Sequence, residues 1–248
     1  MIQGMYTSAY GMIPRVNQQN AIADNLANVS TSGHKKSSIF LRQLITSRNA
    51  LDHALGNERS EVPEDVRVDY SQGTFNQTAR PLDLAINGQG FFRVRDAAGQ
   101  VFYTRDGRFM TDTAGMLMNR EGMYVLDDRS RTIQVQGNEI MIHGNGTVAV
   151  DGEVVGAIGL VDFTPADYQN LREVGSGMFE KPADINESSP SADTSMLQGY
   201  VEDSNTDPVR EMVDMIEVFR MFELGQKAIQ TQDETLQRLV SEVGVVRG

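Results

Sequence analysis

The chain has 248 residues, of which 22 are basic and 34 acidic, giving a formal net charge of −12. This charge excludes binding to nucleic acid or to an anionic membrane through bulk electrostatics. The absence of cysteine excludes structural disulfides and thiolate metal sites. No apolar run approaches the roughly 20 residues that a membrane-spanning helix needs, so we expect no direct membrane insertion.

The first residues carry no targeting pattern. The stretch from Met1 to Tyr6 has no basic leader, no long apolar run and no small-residue cleavage site. We therefore predict no cleaved secretory signal. A cytoplasmic protein would fit, and so would one that is exported by a machine that reads no cleaved signal.

Residues 1–30 have the pattern of a helix with one apolar seam. The positions at alternating steps of three and four are typical of a coiled coil, and they are Ile2, Met5, Ala9, Met12, Val16, Gln19, Ala23 and Leu26. Pro14 lies inside this pattern. Since proline lacks an N–H donor and clashes with the preceding turn, we expect a kink or a break there.

Residues 35–65 form a polar connector with weak helical stretches, and residues 66–185 change to a strand pattern. Leu82, Leu84 and Ile86 alternate with Asp83 and Ala85, as in a half-buried strand. Turn dipeptides separate further short segments, which predicts an antiparallel β domain. The predicted strands are 82–86, 91–95, 101–105, 108–111, 123–126, 132–136, 139–143, 147–150 and 157–163. Residues 186–207 are expected to be a return linker.

A second helical seam follows from residue 208 to the end of the chain. Asp207 can cap this helix, and Pro208 suits its first position. The seam positions are Met215, Phe219, Phe222, Gln226, Ile229, Asp233, Leu236, Val240 and Val243. A lone long helix is marginal in water, so we expect the two ends to pack together and against copies in neighbouring molecules.

The predicted fold class is therefore mixed α and β. We expect a discontinuous coiled-coil domain made of both terminal helices, residues 1–34 and 208–248, with the antiparallel β domain inserted between them. In the free monomer the helices are expected to be disordered or loosely helical, and to become ordered on assembly.

Several sequence blocks occur in a characteristic order along the chain. They are residues 24–35 (DNLANVSTSGHK), 73–78 (GTFNQT), 81–92 (PLDLAINGQGFF), 103–107 (YTRDG), 197–202 (LQGYVE) and 227–231 (KAIQT). These blocks resemble the flagellar rod and hook protein family. The chain is similar to this family over nearly its whole length. It looks most like the FlgF and FlgG type, and its length and residues 40–72 favour the proximal rod type, FlgF.

The resemblance implies a structural subunit of the axial rod, which crosses the periplasm and transmits torque to the hook. It implies export without a cleaved signal through the flagellar export apparatus. The implied partners are copies of the chain itself and neighbouring axial proteins, with no nucleic acid, no metal and no cofactor. We assign the assembly interface to Met5, Met12, Val16, Ala23, Asn25, Leu26, Asn28, Met215, Phe219, Phe222, Ile229, Leu236 and Val240.

A few positions near the first helix have specific expectations. Asn25 and Asn28 should cap the end of this helix, since asparagine is poor in helix interiors and good at turns. Gly33 should adopt a left-handed conformation that redirects the chain. The family usually has Phe where this chain has His34, which weakens an apolar contact or replaces it with a polar one.

Enzyme sites have weaker support in the sequence. His34, His53 and His143 are widely separated and lack the spacing of metal ligands. Asp83 and Asp106 suggest a carboxylate pair, but Asp83 should face away from the buried side of its strand and Asp106 should lie in an Asp-Gly turn. We predict no enzymatic activity. The alternatives are a distal rod or hook component and a secreted carbohydrate-active or adhesive β protein.

Overall fold

A computed structural model describes residues 2–41, 64–137 and 139–245. These residues form two compact units. The first contains helix α1 (Ile2–Ala27), helix α2 (Pro208–Val245) and the two-stranded sheet of β1 (Ser37–Leu41) and β2 (Glu64–Val68). The second contains residues 28–36 and 68–206. Neither described helix has the length and apolarity that crossing a membrane requires.

Helix α1 continues through Pro14 without interruption, so the break expected there is absent. A proline removes one hydrogen bond and crowds the preceding turn, but the other hydrogen bonds of this 26-residue helix remain. After the helix ends, the N–H of Thr31 donates to the carbonyl of Asn28 at 3.0 Å. Gly33 has a φ of 73°, which confirms the predicted left-handed turn.

Helix α2 begins as its sequence predicts. The side-chain Oδ1 of Asp207 accepts the backbone N–H groups of Val209 at 3.0 Å and Arg210 at 3.3 Å. These bonds satisfy donors that the first helical turn leaves without partners. Pro208 occupies the first position of the helix, where no N–H is needed.

The second unit is built from short antiparallel strands. They are β3 (Phe75–Gln77), β4 (Leu84–Asn87), β5 (Phe91–Arg95), β6 (Val101–Thr104), β7 (Met110–Thr111), β8 (Leu117–Met118), β9 (Tyr124–Val125), β10 (Ile140–Ile142), β11 (Thr147–Val150), β12 (Glu153–Ala157), β13 (Leu160–Val161), β14 (Arg172–Gly175), β15 (Met178–Glu180), β16 (Ser195–Gln198) and β17 (Tyr200–Glu202).

The largest sheet has the order β14-β15-β6-β5-β9-β8-β7, with β13 also paired to β5. A second sheet has the order β10-β11-β12, and two further pairs are β16-β4 and β17-β3. The predicted mixed class with antiparallel sheets is therefore confirmed. Strands β5 and β11 begin and end as predicted.

Several segments differ from the sequence prediction. Residues 37–41 form strand β1, where a connector with weak helical stretches was expected. Strands β16 and β17 lie in the segment predicted as a return linker. Residues 132–136 take part only in isolated bridges, from Thr132 to Leu126 and from Gln134 to Met116. His53 and most of the predicted connector lie outside the described residues.

Two side-chain clusters form the core of the second unit. The larger is mainly aliphatic and includes Leu84, Ile86, Phe92, Leu117 and Val148. The smaller is aromatic, with the rings of Tyr70, Phe91, Phe163, Tyr168 and Phe179 separated by 4.9–6.2 Å between centroids where they contact.

Candidate assembly surface and buried charge cluster

Helices α1 and α2 pack against each other within the first unit. The Nδ2 of Asn25 donates to Oε2 of Glu211 at 3.3 Å. Near the middle of both helices, a Cβ placed on Gly225 would lie 3.1 Å from Cγ of Met12. The contact positions rise along α1 while they fall along α2, so the two helices are antiparallel.

The side of α2 that is shielded from solvent defines an inner seam. Buried and half-buried residues recur along it at steps of four and three, at Glu211, Met215, Val218, Phe222, Gly225, Ile229, Gln232 and Leu236, and Pro208 and Asp214 are also half-buried. The predicted seam shares Met215, Phe222, Ile229 and Leu236 with this set. Among its other members, Phe219, Gln226 and Asp233 each lie one residue after Val218, Gly225 and Gln232, and the side chains of Val240 and Val243 lie outside the described residues.

The predicted interface residues on α1 are likewise partly shielded from solvent and partly exposed. The side chains of Met12 and Leu26 are half-buried, whereas Val16 and Ala23 are exposed. The described part of the helix buries Pro14, Ile22 and Asn25 instead. Met5 lies in α1 and Val240 in α2, but their side chains lie outside the described residues.

The first half of α2 carries an outer patch of large apolar side chains. Each is between 48% and 69% exposed, and they are Val209, Met212, Val213, Ile216, Phe219, Met221 and Leu224. The patch ends abruptly. From Gln226 to Arg238 every exposed side chain is polar or alanine. Predicted interface residue Phe219 belongs to this outer patch and not to the inner seam.

Asn25 has an internal role. It is 1% exposed, its Oδ1 accepts the N–H of Ser37 at 2.9 Å and its Nδ2 donates to the carbonyl of Ser37 at 2.8 Å. One side chain therefore holds both backbone groups at the start of β1. Asn28 stabilises the turn after α1, because its Oδ1 accepts the hydroxyl of Thr31 at 3.2 Å.

A buried charge cluster of Lys35, Arg105 and Glu202 lies in the second unit. Lys35 is 1%, Arg105 3% and Glu202 0% exposed. Nζ of Lys35 is 2.5 Å from Oε1 of Glu202, and Nη1 of Arg105 is 3.2 Å from Oε2. Burial lowers the pKa of Lys35, although the neighbouring Glu202 carboxylate acts in the opposite direction.

Backbone groups complete the surroundings of Glu202. Its Oε1 accepts the N–H of Gly73 at 2.9 Å, and its carbonyl accepts the N–H of Gly33 at 2.8 Å. Lys35 also donates to the carbonyl of Ser71 at 2.7 Å. The sequence blocks that carry the family resemblance thus meet around one carboxylate. Sequence reasoning missed this cluster, although each of three blocks contributes one charged residue to it.

Asp83 and Asp106, the carboxylate pair suggested by the sequence, both make structural contacts. Asp83 is 2% exposed, so the expectation that it faces away from the buried side is wrong. Strand β4 directly after it is buried on both faces because further chain covers each side. Nη2 of Arg108 lies 2.7 Å from Oδ2 of Asp106, and this hydrogen-bonded carboxylate raises the pKa of Arg108.

The histidines do not form a site in the described residues. His34 is buried, and its Nδ1 lies 3.9 Å from Oε1 of Glu173. His143 is exposed. Among residues 2–41, 64–137 and 139–245 no three His, Cys, Asp or Glu side chains are grouped so that they could hold a metal ion.

Comparison with known proteins identifies the family. The model described as "Flagella basal body rod protein" matches residues 5–35, "Flagellar hook protein FlgE/F/G D1 domain" matches residues 85–150, and "Flagellar basal body rod FlgEFG protein C-terminal" matches residues 197–242. The flagellar basal-body rod protein FlgG of Buchnera aphidicola subsp. Schizaphis graminum is 32% identical over 263 residues, covering 96% of this chain and 99% of the relative. The chain belongs to the flagellar basal-body rod protein family.

Two further relatives extend this comparison. FlgG of Bacillus subtilis is 30% identical over 267 residues, which cover 97% of this chain and 99% of the relative. FlgF of Caulobacter vibrioides is 32% identical over 230 residues, which cover 91% of each chain. The protein is therefore a structural subunit of the basal-body rod, where it assembles with other flagellar axial proteins, and it is not an enzyme.

Proposed function

We propose that this rod subunit joins its neighbours through its two terminal helices, which form an antiparallel coiled coil inside each copy. The outer patch on α2 carries the proposal. The inner seam uses one side of α2 for contact with α1, and the first half of the helix presents large apolar side chains on other sides as well. These side chains lie among the exposed charged residues Arg210, Glu217, Arg220 and Glu223, and an exposed group of large apolar side chains is typical of a surface that becomes buried on association.

The energy available from this patch is large enough to drive assembly. Full burial of a large apolar side chain contributes about 1.5–3 kcal/mol. Each patch residue is at least 48% exposed. Covering them would contribute on the order of 5–10 kcal/mol for each subunit before the cost of association is subtracted.

Within the family we propose that the chain is of the proximal, FlgF type. The alignments with the two FlgG relatives span 263 and 267 positions, although this chain has only 248 residues. Those relatives therefore contain segments that this chain lacks. The alignment with the FlgF relative spans 230 positions. Labelling the subunit and imaging its position in isolated basal bodies tests this, and a label next to the hook would contradict it.

We further propose that the subunit is exported by the flagellar export apparatus without a cleaved signal, with its β domain inserted between terminal segments that become ordered on assembly. A segment that folds on binding loses its conformational entropy only when it binds. Hydrogen exchange on the dilute monomer tests whether the terminal segments become ordered only on assembly. Strong protection across residues 210–240 would contradict it.

Deletion tests the proposed assembly route. Removing residues 1–28 or 215–248 should abolish incorporation into basal bodies and motility, while the second unit stays folded. Val154→Thr, an exposed position in strand β12, provides the control and should incorporate normally. Incorporation of either truncated chain would exclude assembly through the terminal helices.

A further inference from the structure

The exposed side of α1 has the same heptad spacing as the outer patch. Its exposed residues at alternating steps of three and four are Ile13, Val16, Asn20, Ala23 and Ala27, which we call the α1 outer stripe. From Met12 to Ala27 the helix has only two charged side chains, Arg15 and Asp24. This nearly uncharged surface differs from the solvated face that surface helices normally present.

The two exposed surfaces are complementary in side-chain size. Along the outer patch of α2, the positions Val209, Met212, Ile216 and Phe219 follow the same three-and-four spacing and carry large side chains. The α1 outer stripe carries small ones at Ala23 and Ala27. Large residues facing small ones let two helices approach closely and interdigitate.

We propose that the outer patch of α2 in one copy docks on the α1 outer stripe of a second copy, a statement that rests on the proposed assembly through the terminal helices. The two helices run antiparallel, as α1 and α2 do within one copy. Met212 then lies opposite Ala23 of the second copy, and Phe219 lies opposite Val16.

The second copy is the occupant that these observations favour. Both surfaces belong to the same unit and flank the internal contact between α1 and α2, so docking continues that helix layer from copy to copy. The contact joins two different surfaces, and such heterologous contacts produce open-ended assemblies when they do not close into a ring. The second half of α2 stays outside the contact, because its exposed side chains from Gln226 onward are polar.

Disulfide cross-linking tests the proposed contact directly. The chain has no cysteine of its own, so any cross-link between two copies involves the introduced cysteines. Two differently tagged full-length copies, one with Met212→Cys and one with Ala23→Cys, are expressed together, and basal bodies are isolated and oxidised. We expect a mixed dimer for this pair. The matched control, Gln230→Cys with Ala23→Cys, should give at least about tenfold less, since its α2 position lies in the polar half.

Substitutions separate this contact from the wider assembly model. Ile216→Glu places a charge in the outer patch, and Gln230→Glu places the same charge on the polar half. We expect at least about tenfold fewer Ile216→Glu copies in rods, with unchanged melting of either monomer because both positions are exposed.

The possible failures are distinguishable. If the cysteine variants enter rods but Met212 and Ala23 do not cross-link above the control, this contact is wrong and assembly through the helices stands. Mixed dimers between Met212→Cys and Ile13→Cys in place of Ala23→Cys would overturn the antiparallel arrangement. If deletion of the helices leaves incorporation intact, the proposed function itself fails.

Discussion

Substitution of Glu202 by glutamine tests whether the buried charge cluster holds the second unit together. Glutamine has the same shape as glutamate, so the change removes charge without creating a cavity. The two carboxylate oxygens face Nζ of Lys35 at 2.5 Å and Nη1 of Arg105 at 3.2 Å. An amide keeps one acceptor and directs its NH₂ group at the other donor, leaving two buried cations without a counter-charge.

The expected loss follows from this geometry. Removing one partner of a buried ion pair costs about 3–5 kcal/mol, because the remaining charge is left uncompensated. All three side chains are almost fully buried, so water cannot screen the remaining cations. For a domain of this size the loss corresponds to a fall of roughly 6–20 °C in melting temperature.

Urea unfolding, followed by the tyrosine signal in near-ultraviolet circular dichroism, measures the effect in the full chain. The aromatic cluster in the second unit supplies part of this signal. Glu153→Gln, an exposed position in the same unit, is the matched control and should change the free energy of unfolding by less than about 0.5 kcal/mol. A loss below about 1 kcal/mol for Glu202→Gln would refute the reasoning.

Three further outcomes are expected. Gly107→Ala should prevent folding of the second unit, since its Cβ would lie 1.7 Å from the carbonyl oxygen of Leu84; recovery of native circular dichroism would contradict this. Gly225→Ala should raise helix stability by up to about 1 kcal/mol, because alanine favours helix and the flexible Met12 side chain can shift; a lower melting temperature would show that Met12 cannot yield. Because the pKa of Lys35 is lowered from 10.5, the unfolded chain binds more protons between the folded-state pKa and 10.5. Stability relative to Lys35→Met should therefore rise with pH across that window, and a fall would contradict the assigned direction.

The sequence predicted what depends on local pattern. Asp207 and Pro208 mark the start of α2, and alternating apolar residues mark strands such as Phe91–Arg95. The apolar pattern also predicted four residues of the inner seam, which recur every seven positions from Met215 to Leu236. These features arise from neighbouring residues, so a single sequence contains enough information to find them.

What the sequence missed depends on distant contacts. The inner seam uses Gly225 because α1 approaches closely there, and a glycine has no apolar signal to reveal it. Asn25 is held by both backbone groups of Ser37, a contact that the sequence pattern does not reveal. Lys35 and Glu202 look like ordinary surface residues until the fold brings them together.

The charge cluster also bears on the order of folding events. Lys35 and Glu202 are 167 residues apart along the chain. Closing a loop of that length costs about 4–5 kcal/mol of chain entropy, and such non-local contacts slow folding. A chain that emerges from a ribosome or a narrow conduit with its N-terminus first has no Glu202 to pair with Lys35 until only α2 remains inside. The contacts of Glu202 with Lys35 and Arg105 can therefore form only after residues 36–201 have emerged.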